Sequence, residues 1–174
     1  MEAIYSTTGA LLLAAGASTT NKNLRYASLK YAKLVGINFT GSDLSFSDMT
    51  KADCTGTNFT NTTIAFGIFY STKLINTILT NSEAPSSDFR YAIFSSVTGI
   101  GLYAPNSDFR WIKSTSNNFT NANFRNSVFN NASFDLNSII DNANFRGCDF
   151  RLTAAQAGVG VYTIPPDGTD AFFS

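Results

Sequence analysis

Apolar side chains recur at every fifth residue over most of this chain. The series begins at Leu24 and keeps its register as far as Ile139, and only Gly99 and Ser114 among its 24 positions are not apolar. Such a long period of five indicates one small structural unit repeated many times. At the two exceptions we expect a locally thinner core or a buried hydroxyl bonded to backbone.

The series slips by one residue near its end. The slip lies at Ile139/Ile140, after which the period resumes at Phe145 and Phe150. A second series of small residues precedes the first by two positions, and 17 of its 24 members are Ala, Ser, Thr or Gly. Both series are expected to point inward, and the residue between them is often Asp or Asn.

Neither a helix nor a flat strand accommodates this pattern. At 100° per residue, five residues rotate an α-helix by 140°, so the apolar positions would spread around the cylinder. In a strand the inward side alternates, but here the alternation breaks once in every five residues. The chain must therefore turn a corner every five residues.

Four such corners close a coil of twenty residues. The sequence Ser-Asp-Phe-Arg at 87–90 returns at 107–110, and Asn-Phe-Thr occurs at 38–40, 58–60 and 118–120, all at multiples of twenty. Stacked coils would pair as short parallel ladders about 4.8 Å apart. The sequence predicts an all-β, four-sided parallel β-helix, a solenoid of about six to seven coils and about 30 Å long.

The five-residue units resemble those of the pentapeptide-repeat proteins. Examples are Ala-Asp-Cys-Thr-Gly at 52–56, Ala-Asn-Phe-Arg-Asn at 122–126 and Ala-Ser-Phe-Asp-Leu at 132–136, against a family motif of roughly Ala-Asp/Asn-Leu-X-X. The resemblance covers about Lys22 to Thr153 and implies a right-handed, four-sided β-helix. It implies little about function, because a fold does not determine what its surface binds.

The ends of a solenoid need covering, since a terminal coil exposes an unpaired ladder. We expect residues 1–21 to form an N-terminal cap, residues 22–153 the β-helix, and residues 154–174 a C-terminal cap or a tail that docks into another subunit. Along the core, positions twenty apart predict a spine of stacked rings. Its aromatic members are Phe69, Phe89, Phe109, Phe129 and, after the slip, Phe150.

Outward positions carry a column of alternating charge. Its members are Asp88, Arg90, Asp108, Arg110, Asp149 and Arg151. One interpretation is a strip that binds an anion or a carboxylate. The other, which we favour, is a ladder of exposed ion pairs with a structural role, worth under about 1 kcal/mol per pair.

Exposed aromatic residues also fall into columns. Tyr26, Phe46 and Phe66 share one outward column, with Tyr31 and Tyr70 nearby, and Trp111 pairs with Tyr91 beside the arginines. Aromatic residues in an exposed row favour a partner-binding surface. The alternatives are that the apolar N-terminal segment folds over the column, and that cation–π contact explains the Trp111 pair.

Composition argues against catalysis. Histidine is absent, so the commonest general base and metal ligand is missing, and Cys54 and Cys148 have no neighbouring Cys or His in the sequence. We predict no enzymatic activity, no cofactor and no metal site. Lys+Arg and Asp+Glu are both 12, and only 14% of residues are charged, so nothing favours nucleic acid as a partner.

The sequence favours a rigid, non-enzymatic scaffold that offers one face to a protein partner or to a second copy. Two alternatives are a structural subunit of a virus or phage particle, and a DNA mimic that binds a type II topoisomerase, as some family members do. Zero net charge speaks against mimicry. The apolar stretch 10–17 lacks a basic flank and is too short to span a bilayer, so the compartment stays open between the cytoplasm and an assembled particle.

Overall fold

The computed structural model describes residues 4–5, 11–13, 18–135 and 137–151. Two short strands, β1 (Ile4–Tyr5) and β2 (Leu11–Leu13), pair antiparallel. The strands β3 (Lys73–Ile75), β4 (Ile93–Ser95), β5 (Lys113–Thr115) and β6 (Ser133–Phe134) form a parallel sheet in that order. The predicted C-terminal cap, 154–174, lies outside the described residues, as does most of the predicted N-terminal cap.

Parallel pairing at an interval of twenty residues defines most of the fold. Lys73 pairs with Ile93, and Ile93 with Lys113. Single bridges extend the same register from Asn23↔Asp43 to Asp108↔Val128. The predicted class is confirmed: the chain is an all-β, right-handed parallel β-helix. The ladder also reaches back beyond Lys22, because Asn21 N donates to Thr40 O over 2.9 Å.

Each corner of the coil contains a residue in the left-handed region. Positive φ recurs at every fifth position, for example at Asn61, Phe66, Ser71 and Asn76, with φ between 51° and 55°. At several corners the Asp or Asn three residues before the left-handed residue also accepts a hydrogen bond from the backbone, as Asn38 Oδ1 does from Thr40 N at 3.0 Å. This Asx-type turn redirects the chain without a long loop.

Both inward series form the core. Every apolar side chain of the first series is buried from Leu24 to Phe129. In the second series, inward hydroxyls donate hydrogen bonds to backbone carbonyls of the coil below. Thr57 Oγ1, for instance, donates to Leu34 O at 2.7 Å, and Thr72 Oγ1 to Met49 O at 2.8 Å. Small polar residues fit inside where the hydroxyl donates to a carbonyl 23 residues earlier, whereas the buried Ser47 hydroxyl has no hydrogen-bond partner among the described residues.

The spine lies where the repeat places it. Successive rings stack at 4.8–5.0 Å between centroids, from Phe69 and Phe89 through Phe109 and Phe129 to Phe150. The first four rings are buried, and Phe150 packs partly buried against the core. At Gly99 the core is not thinned, because the Phe119 ring fills the space: an added Cβ would lie 2.7 Å from its Cδ1. The Ser114 hydroxyl accepts a hydrogen bond from the Asn117 side chain at 2.9 Å rather than from backbone.

The slip lies earlier than its predicted position. Pairing changes from twenty to twenty-one residues at Asn118↔Ile139, so the extra residue lies between Phe134 and Ile139. Ile139 is 46% exposed and belongs to the outward ladder, whereas Ile140 packs against the core. The assignment of Ile139 to the inward series was therefore wrong: an insertion of one residue exchanges the inward and outward sides, and a run of two isoleucines conceals it.

Candidate partner-binding face

One of the four sides collects the charged column and borders the aromatic columns. This side, the Asp88 face, comprises the segments 27–30, 47–50, 67–70, 87–90, 107–110, 127–130 and 148–151. Its outward ladder is continuous, since Ser28, Asp48, Ile68, Asp88, Asp108, Val128 and Asp149 are bridged in succession. The side therefore presents one flat parallel β surface.

Three of the four Asp residues on this face, Asp88, Asp108 and Asp149, are each bound by the Arg two residues later, and Asp48 pairs with Lys30. Arg90 Nε and Nη2 lie 2.9 and 2.7 Å from the two oxygens of Asp88, and Arg110 binds Asp108 in the same manner, with Nη2 at 2.6 Å. The carboxylate also accepts the backbone N–H of its own arginine, at 3.0 Å for Arg90. Bidentate bonding of this kind fixes both side chains in one geometry.

The pairing perturbs the acidity of its members. The hydrogen bond from the Arg151 guanidinium lowers the pKa of Asp149 to about 2. The hydrogen bonds that Arg90 donates to the Asp88 carboxylate raise the pKa of Arg90 above its ordinary value. Adjacent rows are also coupled, because Arg90 Nε lies 3.7 Å from Asp108 Oδ2. The charges are thus neutralised within the face, which fits the predicted ion-pair ladder better than a free anion site.

The first aromatic column lies at one edge of the Asp88 face. This edge, the Phe66 corner, comprises positions 26, 46, 66, 86, 106 and 126. Tyr26, Phe46 and Phe66 stack with centroids 5.0 Å apart, and the Arg25 guanidinium lies 5.1 Å from the Phe46 centroid. Phe66 is 52% exposed, while Phe46 is half-buried between its neighbours.

The second aromatic set lies at the other edge. This edge, the Trp111 corner, comprises positions 31, 51, 71, 91, 111 and 131. Tyr91 and Trp111 stack at 5.1 Å, and Tyr70 meets Tyr91 edge to face at 5.3 Å. Arg110 lies 5.4 Å from the Trp111 centroid. Tyr31, which is 71% exposed, contacts only the Lys51 ammonium among the described ring and cation contacts, at 5.8 Å.

A continuous apolar band crosses the face between the two corners. In the third segment Phe66, Ile68 and Tyr70 alternate on the outward side, and the positions of Ile68 and Tyr70 are those of Asp and Arg in the segments 87–90, 107–110 and 148–151. Ile68 is 38% exposed and separates the ladder position of Asp48 from that of Asp88. Ile68 is not among the residues predicted from the sequence, and the two aromatic sets were not predicted to share one face. The available signal was an isoleucine at a position that carries Asp in the coils on either side.

The aromatic residues occupy unfavourable backbone positions. Six of them, Tyr26, Tyr31, Phe46, Phe66, Tyr91 and Trp111, have φ between 55° and 61°. The left-handed region is uncommon for bulky side chains and disfavoured by about 1–2 kcal/mol per residue. Among the described residues, the left-handed positions at the other two corners are occupied by residues that are common there or small: Gly36, Gly56, Asn76, Ser96 and Ser116 at one, and Asn21, Gly41, Asn61, Asn81, Gly101, Asn121 and Asn142 at the other.

Elsewhere in the described part of the chain, nothing assembles a reactive centre. Burial raises the pKa of the Cys54 and Cys148 thiols to about 12, so both are protonated near neutral pH. Over the same residues no three His, Cys, Asp or Glu side chains are grouped to hold a metal ion. None of the described segments forms a helix long and apolar enough to cross a membrane.

Comparison with known proteins agrees with the repeat. A family model described as pentapeptide repeats matches eight copies, over residues 23–61 and 118–153. No curated protein matches the chain.

Several solved structures are similar over most of the chain. HetL, a pentapeptide repeat protein involved in heterocyst differentiation regulation in Nostoc sp. strain PCC 7120, is 15% identical over 79% of this chain and 76% of its own, with a TM-score of 0.35. Full-length QnrB1, a plasmid-mediated fluoroquinolone resistance protein, is 12% identical over 90% of this chain and 91% of its own, with a TM-score of 0.40. A pentapeptide repeat protein of the Arabidopsis thaliana thylakoid lumen is 18% identical over 71% and 68%, with a TM-score of 0.27.

Proposed function

Because this chain is a pentapeptide-repeat protein, we propose that it is a non-enzymatic protein-interaction scaffold whose partner binds the Asp88 face. The observation that carries the proposal is the position of the aromatic residues. They stand at left-handed corners where Asn or Gly would fit better, and within the described part of the β-helix they do so only at the two corners that border this face. Unfavourable backbone conformations are retained where the surface has a use for the side chain.

The composition of the face suits a protein partner. Exposed aromatic residues contribute large contact areas with little loss of side-chain freedom, and such anchors dominate protein interfaces. Together with the two aromatic sets, the apolar band extends from Tyr26 at the Phe66 corner to Trp111 at the other corner. It is flanked by Lys30 and Asp48 on one side and by the rows of Asp88 and Asp108 on the other. An apolar centre with a polar, ion-paired rim is the usual organisation of an interface.

The distribution of charged residues argues against a function as a DNA mimic. All 12 Lys and Arg lie within residues 18–151, together with only nine of the 12 acidic residues. A mimic of duplex DNA needs a surplus of free carboxylates along the rod. Here Asp88, Asp108 and Asp149 are held by the arginine two residues later, and Asp48 pairs with Lys30.

Cross-linking tests the proposed face. Lys30 and Lys51 lie on or beside the Asp88 face, whereas Lys73 and Lys113 lie in β3 and β5 on the neighbouring side. In cells that produce the protein, we expect lysine cross-links to other polypeptides or to second copies to concentrate on the first pair. An even distribution over all four lysines would contradict the proposal.

A second candidate is a structural subunit of a larger assembly, such as a virus or phage particle. The side opposite the Asp88 face favours it, because the segments 36–41, 56–61, 76–81, 96–101 and 116–121 contain no charged residue. Uncharged surface is better suited to contact with other subunits than to open solvent. In this candidate residues 1–21 and 154–174 are the caps or docking segments, and electron microscopy of the purified particle tests it.

A further inference from the structure

We propose that the partner of the Asp88 face is a second copy of the chain, with the two rods parallel, side by side and related by a two-fold axis along the rod. This rests on the proposed function of that face. Such an axis leaves each coil at its own height and reverses the order of residues across the face. A residue in the first half of a segment in one copy therefore faces the residue in the second half of the same segment in the other copy, at the same distance from the segment's middle.

Charges become complementary under this operation. In the segment 87–90 the outward residues are Asp88 and, two positions later, Arg90. Reversal therefore places Asp88 of one copy against Arg90 of the other, and Asp108 against Arg110. The same holds for Asp149 and Arg151. Each row becomes a closed network of two carboxylates and two guanidinium groups whose members are already held in place by 2.6–2.9 Å hydrogen bonds.

The corners become sterically complementary as well. The Phe66 corner of one copy meets the Trp111 corner of the other, coil by coil. Phe66 then faces Ser71, and Phe46 faces Lys51, which can lie over its ring. Higher along the rod the relation is inverted, since Tyr91 faces Ser86.

Trp111 in turn faces Asn106. A large side chain thus meets a small or flexible polar one in four consecutive coils, and the central Ile68 meets Tyr70. This alternation lets two surfaces with protruding rings approach each other closely.

Neither side adjoining the Asp88 face has this property. On the side that contains β3 to β5, reversal places Lys33 against Val35, Lys73 against Ile75 and Lys113 against Thr115. On the other adjoining side, Asn23 would face Arg25, and Glu83 would face Pro85. Opposite charges therefore face each other in several rows only on the Asp88 face. A net charge of zero adds no long-range repulsion between two copies.

Charge reversal with mixing tests the proposal. The variant D88R/D108R carries only cations in these two rows, and R90D/R110D carries only anions. Sedimentation velocity of the wild-type chain should show a dimer. Each variant alone should be a monomer, because like charges face each other, and an equimolar mixture should restore a dimer that contains one chain of each kind.

Controls separate this from general damage. K73D alters a charge on the neighbouring side and should leave the dimer intact, and circular dichroism establishes that all variants retain the β-helix. A monomeric wild type, a variant that remains dimeric alone, or a mixture that stays monomeric each overturns the second copy as partner. Cross-links from Lys30 and Lys51 to other proteins, with a monomeric wild type, would leave the proposed function standing.

Discussion

The carboxylate of Asp135 accepts the backbone N–H of Ser116, with both oxygens 3.0 Å from the nitrogen. At the same corner in lower coils a backbone carbonyl performs this role, as Ser95 O does for Asn76 N at 2.8 Å. The extra residue before Ile139 displaces the carbonyl, and the side chain takes its place. Asp135 also accepts the Ser138 hydroxyl at 2.9 Å, which fixes the segment that contains the insertion.

Removing this carboxylate should destabilise the chain. We expect Asp135→Ala to lower the free energy of unfolding by about 1 kcal/mol, because the Ser116 N–H loses its acceptor in a partly solvated site. Urea unfolding monitored by circular dichroism measures the change. Asp141→Ala, at an exposed position a few residues later, is the control and should be neutral. Equal effects of the two substitutions would remove the special role of Asp135.

The corner conformation predicts an unusual ranking of substitutions at Phe66. Phe66 has φ 55°, a region that Asn tolerates and β-branched residues avoid. We expect Phe66→Asn to change stability by less than about 1 kcal/mol, since relief of backbone strain offsets the lost stacking. Phe66→Val should have a free energy of unfolding about 1–2 kcal/mol lower than that of Phe66→Asn, as measured by urea unfolding. The reverse order would mean that packing alone decides this position.

The hydrogen bonds of the inward hydroxyls should contribute to the free energy of unfolding. Thr72 is fully buried and donates to Met49 O at 2.8 Å. Thr72→Val keeps the shape and removes the donor, so we expect a loss of about 1 kcal/mol. Thr72→Ser retains the donor and loses a methyl group, which separates hydrogen bonding from packing in the same unfolding experiment.

The ring spine should dominate stability. Phe109 stacks between Phe89 and Phe129 at 4.9 and 4.8 Å and meets Phe124 edge to face at 5.4 Å. We expect Phe109→Ala to cost about 3–5 kcal/mol, the range for a large buried ring. The exposed ring of Trp111, two residues later, is the internal comparison, and its replacement by Ala should cost much less.

Acid should weaken the fold over a defined range of pH. Asp149 has a pKa of about 2 when folded, below its ordinary value of 3.8, and the pKa values of Asp43, Asp53 and Asp135 are also lowered. The unfolded chain then binds more protons in this range, so the stabilisation is complete above about pH 4 and is lost as pH falls towards 2. Urea midpoints between pH 2 and 7 test this, and Asp149→Asn should flatten the curve.

The period of five contains most of the fold but little of the site. It identifies the inward positions, because apolar side chains repeated at every fifth residue are explained by burial in a core. The core spine can therefore be predicted from the sequence. It does not separate outward from corner positions. The strain at Phe66, and the junction that Ile68 makes between the two aromatic corners, depend on backbone angles and on which corners share a side.

The slip shows a different limit. Ile139 and Ile140 are both apolar, so hydropathy alone cannot tell which of them points inward. Backbone pairing with the coil below determines which isoleucine points outward: Phe119 N donates to Ile139 O at 2.7 Å, which places Ile139 opposite the outward residue Asn118. A register defined by backbone pairing is not visible in side-chain composition when both candidates suit the core.

The pairing of each coil with its two neighbours also governs how the rod loses its structure. Each coil touches only the coils directly below and above, so the molecule behaves as a one-dimensional chain of coupled units. Such a chain frays from its ends, and amide hydrogen exchange should be slowest in the central coils around Phe69 and Phe89. The inserted residue near Asp135 weakens one coupling in this chain, and the coil above it is expected to open and close as a separate unit.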